Sequence, residues 1–172
     1  MWKIRWIAVL LSLFFLGARA ESLEKWVDQP APEFELTMVS GNGKLSLKDF
    51  RGKVVMLDFW ASWCAPCKKS LPELQNLEAK YENLQVVAIN IDDNRQNARR
   101  FMKKQALDLT VVFDAKKSVA KTYDISEMPS AILIDRDGVI RHVISGYTKN
   151  QIKELEIVID ELIHNRQAAV SK

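Results

Sequence analysis

The sequence predicts an α/β fold built on a mixed β-sheet. Three apolar runs of strand length, VVMLDFW (54–60), LQVVAINI (84–91) and SAILID (130–135), are typical of strands buried on both faces. Segments with helical spacing of apolar residues separate them, and this alternation indicates strand–helix–strand units. Glycine-containing turn signals near both ends of the chain add hairpins, which make the sheet mixed rather than wholly parallel.

The first half of the chain supplies a hairpin, a buried strand and a helix. After an irregular lead-in over 21–32, the turn Gly41-Asn42-Gly43 predicts a β-hairpin between two short strands, 34–39 and 44–47. The strand 54–60 follows. We then expect a helix over 65–80, which Pro72 should kink because proline has no backbone amide to donate.

The second half continues the alternation and closes with another hairpin. Ala98, Phe101, Met102 and Ala106 share one face of a helix predicted over 94–106, after the strand 84–91. The turn Asp135-Arg136-Asp137-Gly138 predicts a hairpin. The remaining predicted elements, in chain order, are a strand 109–113, a helix 115–122, the hairpin strands 130–135 and 139–145, and a final helix 149–165.

The first twenty residues predict an export signal. Lys3 and Arg5 precede an apolar run over 7–16, and Ala18-Arg19-Ala20 offers the small residues of a cleavage site. The run is shorter than the roughly 20 apolar residues that a membrane-spanning helix needs, so cleavage is favoured over an anchor. We therefore expect a cleaved signal peptide (1–20), one domain (21–172) without stable membrane insertion, and a periplasmic location.

The charge of the chain does not indicate a nucleic-acid partner. There are 25 basic and 22 acidic residues, and Lys3, Arg5 and Arg19 account for the whole excess, since the first twenty residues contain no acid. The rest of the chain is balanced and lacks the basic footprint of nucleic-acid binding. The cation pairs of the chain are interpreted as solvated helix faces: Arg99-Arg100, Lys103-Lys104 and Lys116-Lys117.

Cys64 and Cys67, the two cysteines of the chain, form a C-x-x-C pair. The loop between them is so short that a disulfide there constrains the unfolded chain little. A structural zinc site needs four ligands, and the two histidines that could join the pair, His142 and His164, are distant in sequence. Redox chemistry is the favoured interpretation, with no metal and no cofactor beyond a redox-active Cys64–Cys67 disulfide.

The position of Cys64 suits a reactive thiol. It falls where the strand 54–60 gives way to the next helix, and the first turn of a helix presents unpaired N–H groups that favour the thiolate. We expect Cys64 to attack a substrate disulfide. Cys67, one turn further on, should then attack the mixed disulfide and release the product.

The segment WCAPC (63–67) after an apolar strand resembles the active site of the thioredoxin fold. Asp58 stands where thioredoxin has its buried aspartate, Pro72 matches the helix-kinking proline, and Met128-Pro129 matches the cis-proline loop. The lead-in PAPEF, the hairpin and the extra element VVAINIDDNRQNARRFMKKQ resemble the TlpA/ResA-like branch of exported thiol–disulfide oxidoreductases. The resemblance implies a three-layer thioredoxin-like fold with a central mixed sheet, an N-terminal β-hairpin and an inserted strand–helix element.

Two positions depart from that branch and draw attention to Asp58. The branch often has a glutamate where this chain has Ser70, and an asparagine where it has Asp58. A carboxylate buried without a counterion has a raised pKa, and a general base works best with a pKa near the working pH. We predict that Asp58 takes the proton of Cys67, directly or through water; the alternative is a hydrogen-bonded structural acid.

The predicted substrate contacts are Trp63, Met128 and Pro129. Trp63 is a large aromatic residue beside the reactive thiol and should form part of the contact surface. The resemblance implies a cis Met128-Pro129 bond facing the cysteines, where proline offers them no donor. His142 and His164 are interpreted as ordinary strand and helix residues.

The resemblance implies a monomeric periplasmic reductase of protein disulfides, supplied with electrons by a membrane donor protein. Cytochrome c maturation is one candidate pathway. An oxidase or isomerase is the alternative within the same chemistry, because the reduction potential sets the direction. A copper-binding module is the alternative from another class, since two thiolates suit Cu(I), although Met128 is the one nearby candidate for a further ligand.

Overall fold

The structure, a computed structural model, describes residues 21–164. Its strands are β1 (Glu35–Met38), β2 (Lys44–Ser46), β3 (Val54–Trp60), β4 (Leu84–Asn90), β5 (Thr110–Phe113), β6 (Ser130–Ile134) and β7 (Ile140–Ser145). Its helices are α1 (Glu21–Glu24), α2 (Cys67–Lys80), α3 (Arg95–Gln105), α4 (Ser118–Thr122) and α5 (Lys149–His164), with a 3-10 turn at Leu47–Phe50. The predicted signal peptide lies outside the described residues.

The seven strands form one mixed sheet in the order β2-β1-β5-β4-β3-β6-β7. Neighbours β3, β4 and β5 are parallel, whereas β6 and β7 on one side and β1 and β2 on the other run antiparallel. All seven residues of β3 are buried, since the strand has a partner on each side and helices on both faces. This central position explains the apolar run at 54–60 and confirms the predicted mixed α/β sheet.

Two hydrophobic clusters fill the space above and below the sheet. One packs alternate β3 side chains, Val54, Met56 and Trp60, against helices α2, α3 and α5. The other packs Val55, Leu57 and Phe59 against α1, α4 and the N-terminal segments. The three layers of the predicted thioredoxin-like fold are therefore confirmed, and the side chain of Asp58 shares the face of Met56 and Trp60 because side chains alternate along a strand.

Several predicted boundaries were wrong by a few residues, each for a local reason. The lead-in is not wholly irregular, because α1 occupies Glu21–Glu24. Leu47 begins the 3-10 turn instead of ending β2, since the Ser46 hydroxyl accepts the Lys48 amide and caps that turn. Helix α2 begins at Cys67 and not at 65, with Pro66 as its N-cap.

Helix α4 begins at Ser118, three residues later than predicted. The Asp114 carboxylate accepts the backbone amides of Ser118, Val119 and Ala120, which fixes where the helix starts. Lys117 has φ 54°, a left-handed conformation that a continuing helix does not contain. No helix among residues 21–164 is both long and apolar enough to cross a membrane.

Candidate active site

The cysteines lie in the connection from β3 to α2. After Trp60 the chain turns through residues 61–66, and Asp92, just beyond the end of β4, holds this turn. The Asp92 carboxylate accepts the Ser62 backbone amide (3.1 Å) and the Ser62 hydroxyl (3.0 Å). The neighbouring strand thus fixes the loop that carries Cys64.

Cys64 and Cys67 form a disulfide, and their Cα atoms are 5.3 Å apart. The backbone amide of Cys67 donates a hydrogen bond to Cys64 Sγ at 3.2 Å. Pro66, the N-cap of α2, has no side-chain cap, so this sulfur satisfies one of the amide donors of the first turn. Once the pair is reduced, the same donor and the positive end of the helix favour Cys64 as a thiolate.

The two cysteine residues differ in exposure to solvent. Cys64 is 5% exposed, whereas Cys67 is fully buried in the hydrophobic cluster below α2. The exposed indole of Trp63, 65% accessible, stands next to Cys64 on the surface. Of the two cysteines, Cys64 is therefore the one with a solvent-accessible surface.

Asp58 is buried in the middle of the sheet. Its backbone pairs with Ala88 of β4 and Ala131 of β6, and the residue is 1% exposed. Burial raises the pKa of this carboxyl well above its usual range, because an ionised group there loses its hydration. Among the described residues, Asp58 Oδ2 has no hydrogen-bond partner. No salt bridge to Asp58 is found among residues 21–164.

A small cavity lies beside Asp58. Its walls include Ser70, Pro129, Tyr147 and Gln151. The volume within which the centre of a water molecule can lie is about 20 Å³. A site for one water needs about 10–15 Å³ on this measure. The Ser70 hydroxyl donates to the Cys67 carbonyl at 3.4 Å, so the cavity adjoins the first turn of α2. The cavity is therefore large enough to hold one water molecule beside Asp58, close to the first turn of α2.

The Met128-Pro129 bond is cis, as the sequence predicts. Strand β6 follows it directly, and the pairing of Ser130 with Phe59 sets the loop beside the end of β3 that leads to the cysteines. Met128 packs against the hydrophobic cluster that contains both cysteines, and Pro129 lines the cavity at Asp58. Of the residues selected from the sequence, Asp58 and Pro129 line one cavity, and Cys64, Cys67 and Met128 belong to or pack against one hydrophobic cluster.

Two residues of this region were missed from the sequence. Asp92 follows an apolar strand, as many turn residues do, and nothing local shows that it holds Ser62. Gln151 lies in the first turn of α5, and a polar residue there is ordinary on a helix surface. His142 and His164 lie in β7 and at the end of α5. No group of three metal-binding side chains is found among residues 21–164.

The sequence profile of the Redoxin family matches residues 26–159, most of the chain. The chain belongs to the Redoxin family. Among curated relatives, the thiol–disulfide oxidoreductase ResA of Bacillus cereus is 35% identical over 140 residues, covering 80% of this chain and 79% of the relative. ResA of Bacillus subtilis strain 168 is 34% identical and covers 75% of this chain and 72% of its own.

Solved structures of other redoxin-like proteins share the fold. A Chlorobium tepidum protein, provisionally described as the thiol:disulfide interchange protein DsbE, is 37% identical with a TM-score of 0.74, and the match covers 78% of this chain and 95% of that one. StoA of Bacillus subtilis is 26% identical with a TM-score of 0.63 and coverages of 74% and 96%. Together with the Cys64–Cys67 pair, these likenesses make this Redoxin-family chain a thiol–disulfide oxidoreductase.

Proposed function

We propose that this protein is a periplasmic reductase of protein disulfides in which Cys64 attacks, Cys67 resolves and Asp58 carries the proton. The observation that carries the proposal is the hydrogen bond from the Cys67 amide to Cys64 Sγ at the start of α2. This hydrogen bond supports Cys64 as the sulfur that is stabilised as a thiolate, and the full burial of Cys67 supports its role as the internal partner.

The reaction begins from the reduced pair. The Cys64 thiolate attacks one sulfur of a substrate disulfide, a new S–S bond forms between protein and substrate, and the other substrate sulfur leaves as a thiolate. Cys67, deprotonated, then attacks Cys64 Sγ. The Cys64–Cys67 disulfide forms, the second substrate sulfur leaves, and two electrons have passed from the protein to the substrate.

The second attack requires that the Cys67 thiol lose its proton. Asp58 is the acid on the same face of the sheet as α2, and it lines the cavity next to Ser70 and the first turn of that helix. Its raised pKa brings the carboxylate closer to the basicity that proton transfer at neutral pH needs. The proton passes from Cys67 to Asp58 and leaves for solvent after the product has gone.

The direction of the reaction depends on how strongly the reduced form is stabilised. A dithiol oxidises its partners when its thiolate is held by strong interactions. The resemblance to the TlpA/ResA-like branch supports the reductase direction, which the reduction potential decides. Because the predicted signal peptide exports the chain, its electrons must come from a membrane donor protein; the resemblance to exported relatives supports cytochrome c maturation as the pathway.

Equilibration with glutathione at a range of thiol-to-disulfide ratios tests the direction. The fraction of reduced Cys64–Cys67 is read by alkylation and mass spectrometry. A reductase should have a potential nearer to the about −270 mV of thioredoxin than to the about −120 mV of a strong oxidant of the DsbA type. A potential at the oxidising end would make the protein an oxidase and overturn the proposed direction.

A further inference from the structure

A groove rich in cations lies beside the active-site segment. Ser62 and Lys68 contribute to it from the loop and the start of α2, and Asn97, Arg100, Phe101 and Lys104 contribute from α3. Ser62 is two residues before Cys64, and Lys68 directly follows Cys67. Since neighbouring Cα atoms are about 3.8 Å apart, the groove begins within roughly 8 Å of the reactive pair.

No salt bridge within residues 21–164 neutralises the cations of the groove. Helix α3, RQNARRFMKKQ, contains five basic residues and no acid. Arg100 and Lys104 are exposed one turn apart, where like charges repel. Within residues 21–164 neither they nor Lys68 pair with a carboxylate, whereas cations elsewhere, such as Lys80 and Lys117, do.

A buried aromatic contact links the floor of the groove to the end of β3. The Phe101 ring packs against the Trp60 indole at a centroid distance of 5.0 Å, which ties α3 to the end of β3. The nearby acid Asp92 is fully buried and accepts hydrogen bonds from Ser62 and Asn90, so its charge faces inward. An extended substrate chain bound at Cys64 can therefore continue into this positively charged groove.

We propose that this groove binds an acidic segment that flanks the disulfide of the protein substrate. Binding of an acidic segment would make the protein prefer disulfide substrates with acidic flanking residues, a preference that the exchange reaction alone does not provide. It also revises the sequence-based interpretation of Arg100 and Lys104 as merely solvated. Clefts lined by charge of one sign accelerate association with the opposite charge, and the effect falls with ionic strength.

Two disulfide peptides with the same cysteine loop test this, one flanked by Asp and Glu and the other by Asn and Gln. The measurement is the rate constant for mixed-disulfide formation by the reduced protein, which does not depend on the net direction of the reaction. We expect the acidic peptide to react about tenfold faster at low salt, and the difference to vanish at high salt and in Arg100→Gln/Lys104→Gln.

The matched control is Lys116→Gln/Lys121→Gln. It removes two exposed cations on the opposite face of the sheet, one just before α4 and one within it. It should keep the preference for the acidic peptide. Equal rates for the two peptides in the unmodified protein at low salt, or the same loss in both double variants, would overturn the proposal.

An independent observation concerns two buried oxygens at the cavity beside Asp58. Asp58 Oδ2 and Gln151 Oε1 have no hydrogen-bond partner among the described residues, and both residues line this cavity. Gln151 Nε2 donates to the Ser145 carbonyl at 3.1 Å, which fixes the amide and leaves its oxygen as the free acceptor. A water molecule has two hydrogens to donate, one for each oxygen.

We infer that one water molecule bridges Asp58 Oδ2 and Gln151 Oε1, which makes Gln151 a positioning residue for the buried acid. The bridge supplies a donor to the ionised carboxylate and so supports its charged form. Its meaning for catalysis rests on the proposed role of Asp58, but the bridge itself does not.

Titration of the Asp58 carboxyl carbon by NMR in the reduced protein tests the bridge. Gln151→Met keeps the length of the side chain but removes the acceptor, and should raise the pKa of Asp58 by roughly one to two pH units, the worth of a hydrogen bond to a charged group. Asn150→Met, the exposed neighbour, should change nothing. An unchanged or lowered pKa of Asp58 in Gln151→Met would overturn the inference.

A second outcome separates the bridge from the proposed role of Asp58. If the pKa of Asp58 rises in Gln151→Met but the mixed disulfide decays at the normal rate in Asp58→Asn, the bridge stands and Asp58 has no part in the resolving step.

Discussion

The backbone amide of Cys67 donates to Cys64 Sγ at 3.2 Å, so each cysteine helps to define the chemistry of the other. The amide belongs to the first residue of α2, where no earlier turn of the helix can accept it. The same residue carries the buried sulfur that attacks Cys64 in the proposed mechanism. One short segment of chain, 64–67, therefore contains both cysteines, the start of α2 and the amide that donates to Cys64 Sγ.

Asp58→Asn should slow the decay of the mixed disulfide more than its formation. Asparagine keeps the shape of the side chain but cannot accept the proton of Cys67, and loss of a general base slows a step by about 10²–10⁴, less if water substitutes. Formation depends on the Cys64 thiolate, which the Cys67 amide supports. Stopped-flow measurement of both phases separates the two steps, with the exposed acid variant Asp108→Asn as control. Equal decay in Asp58→Asn and the unmodified protein would make Asp58 structural.

Asp58→Asn should also stabilise the fold, and increasingly so as the pH rises. Below the unfolded pKa of about 3.8, Asp58 is protonated in both the folded and unfolded states and adds no pH-dependent penalty. Between that value and the raised pKa of the folded state, the unfolded chain releases the proton first, so stability falls with rising pH. Denaturant unfolding at several pH values should show the advantage of Asp58→Asn growing through this window and then levelling. An advantage independent of pH would contradict the raised pKa.

Pro129→Ala should prolong the mixed disulfide with substrate. Alanine brings a backbone N–H to the loop that the resemblance places beside the cysteines, where proline has none, and a hydrogen bond to the bound sulfur would hold the adduct. A net hydrogen bond of about 0.5–1.5 kcal/mol corresponds to a roughly two- to tenfold longer lifetime. Met128→Leu keeps an apolar contact without adding a donor and serves as the control. An unchanged lifetime in Pro129→Ala would show that this loop does not touch the bound substrate.

The exported protein should begin near Glu21. Small residues at Ala18 and Ala20 precede this position, and Lys3 and Arg5 with the apolar run make the segment a signal peptide. Mass spectrometry of the protein recovered from the periplasmic fraction measures its N-terminus. An intact Met1 on membrane-bound protein would contradict cleavage.

Much of the fold could be predicted from the sequence, because the spacing of apolar residues differs between helices and strands and because buried strands form unbroken apolar runs. The unbroken run VVMLDFW arises from a strand with partners on both sides, and β3 occupies that central place. The hairpin at 135–138 was equally visible, since Gly138 has φ 86° and the Asp135 side chain accepts the amides of Asp137 and Val139. The element ends were less predictable, because side-chain caps such as Asp114 decide them.

The candidate site also has a part that the sequence predicts and a part that only the structure shows. Cys64, Cys67 and Asp58 lie within ten residues of one another on consecutive elements, so their spacing already carries the chemistry. Gln151 and the cations of α3 reach the site through tertiary packing, when α5 covers the sheet beside Asp58 and α3 stacks on Trp60. No local pattern in the chain reports such contacts, which is why they became visible only in the structure.

The trapping of a mixed disulfide tests the central claim, that Cys64 attacks and Cys67 resolves. Reduced Cys67→Ser and reduced Cys64→Ser are each mixed with a peptide disulfide at neutral pH, and intact-protein mass spectrometry follows the adducts. The account predicts a lasting adduct on Cys64 in Cys67→Ser and little adduct in Cys64→Ser, because the remaining Cys67 is fully buried and lacks the amide donor that Cys64 has. Faster or greater adduct formation on Cys67 than on Cys64 would contradict it.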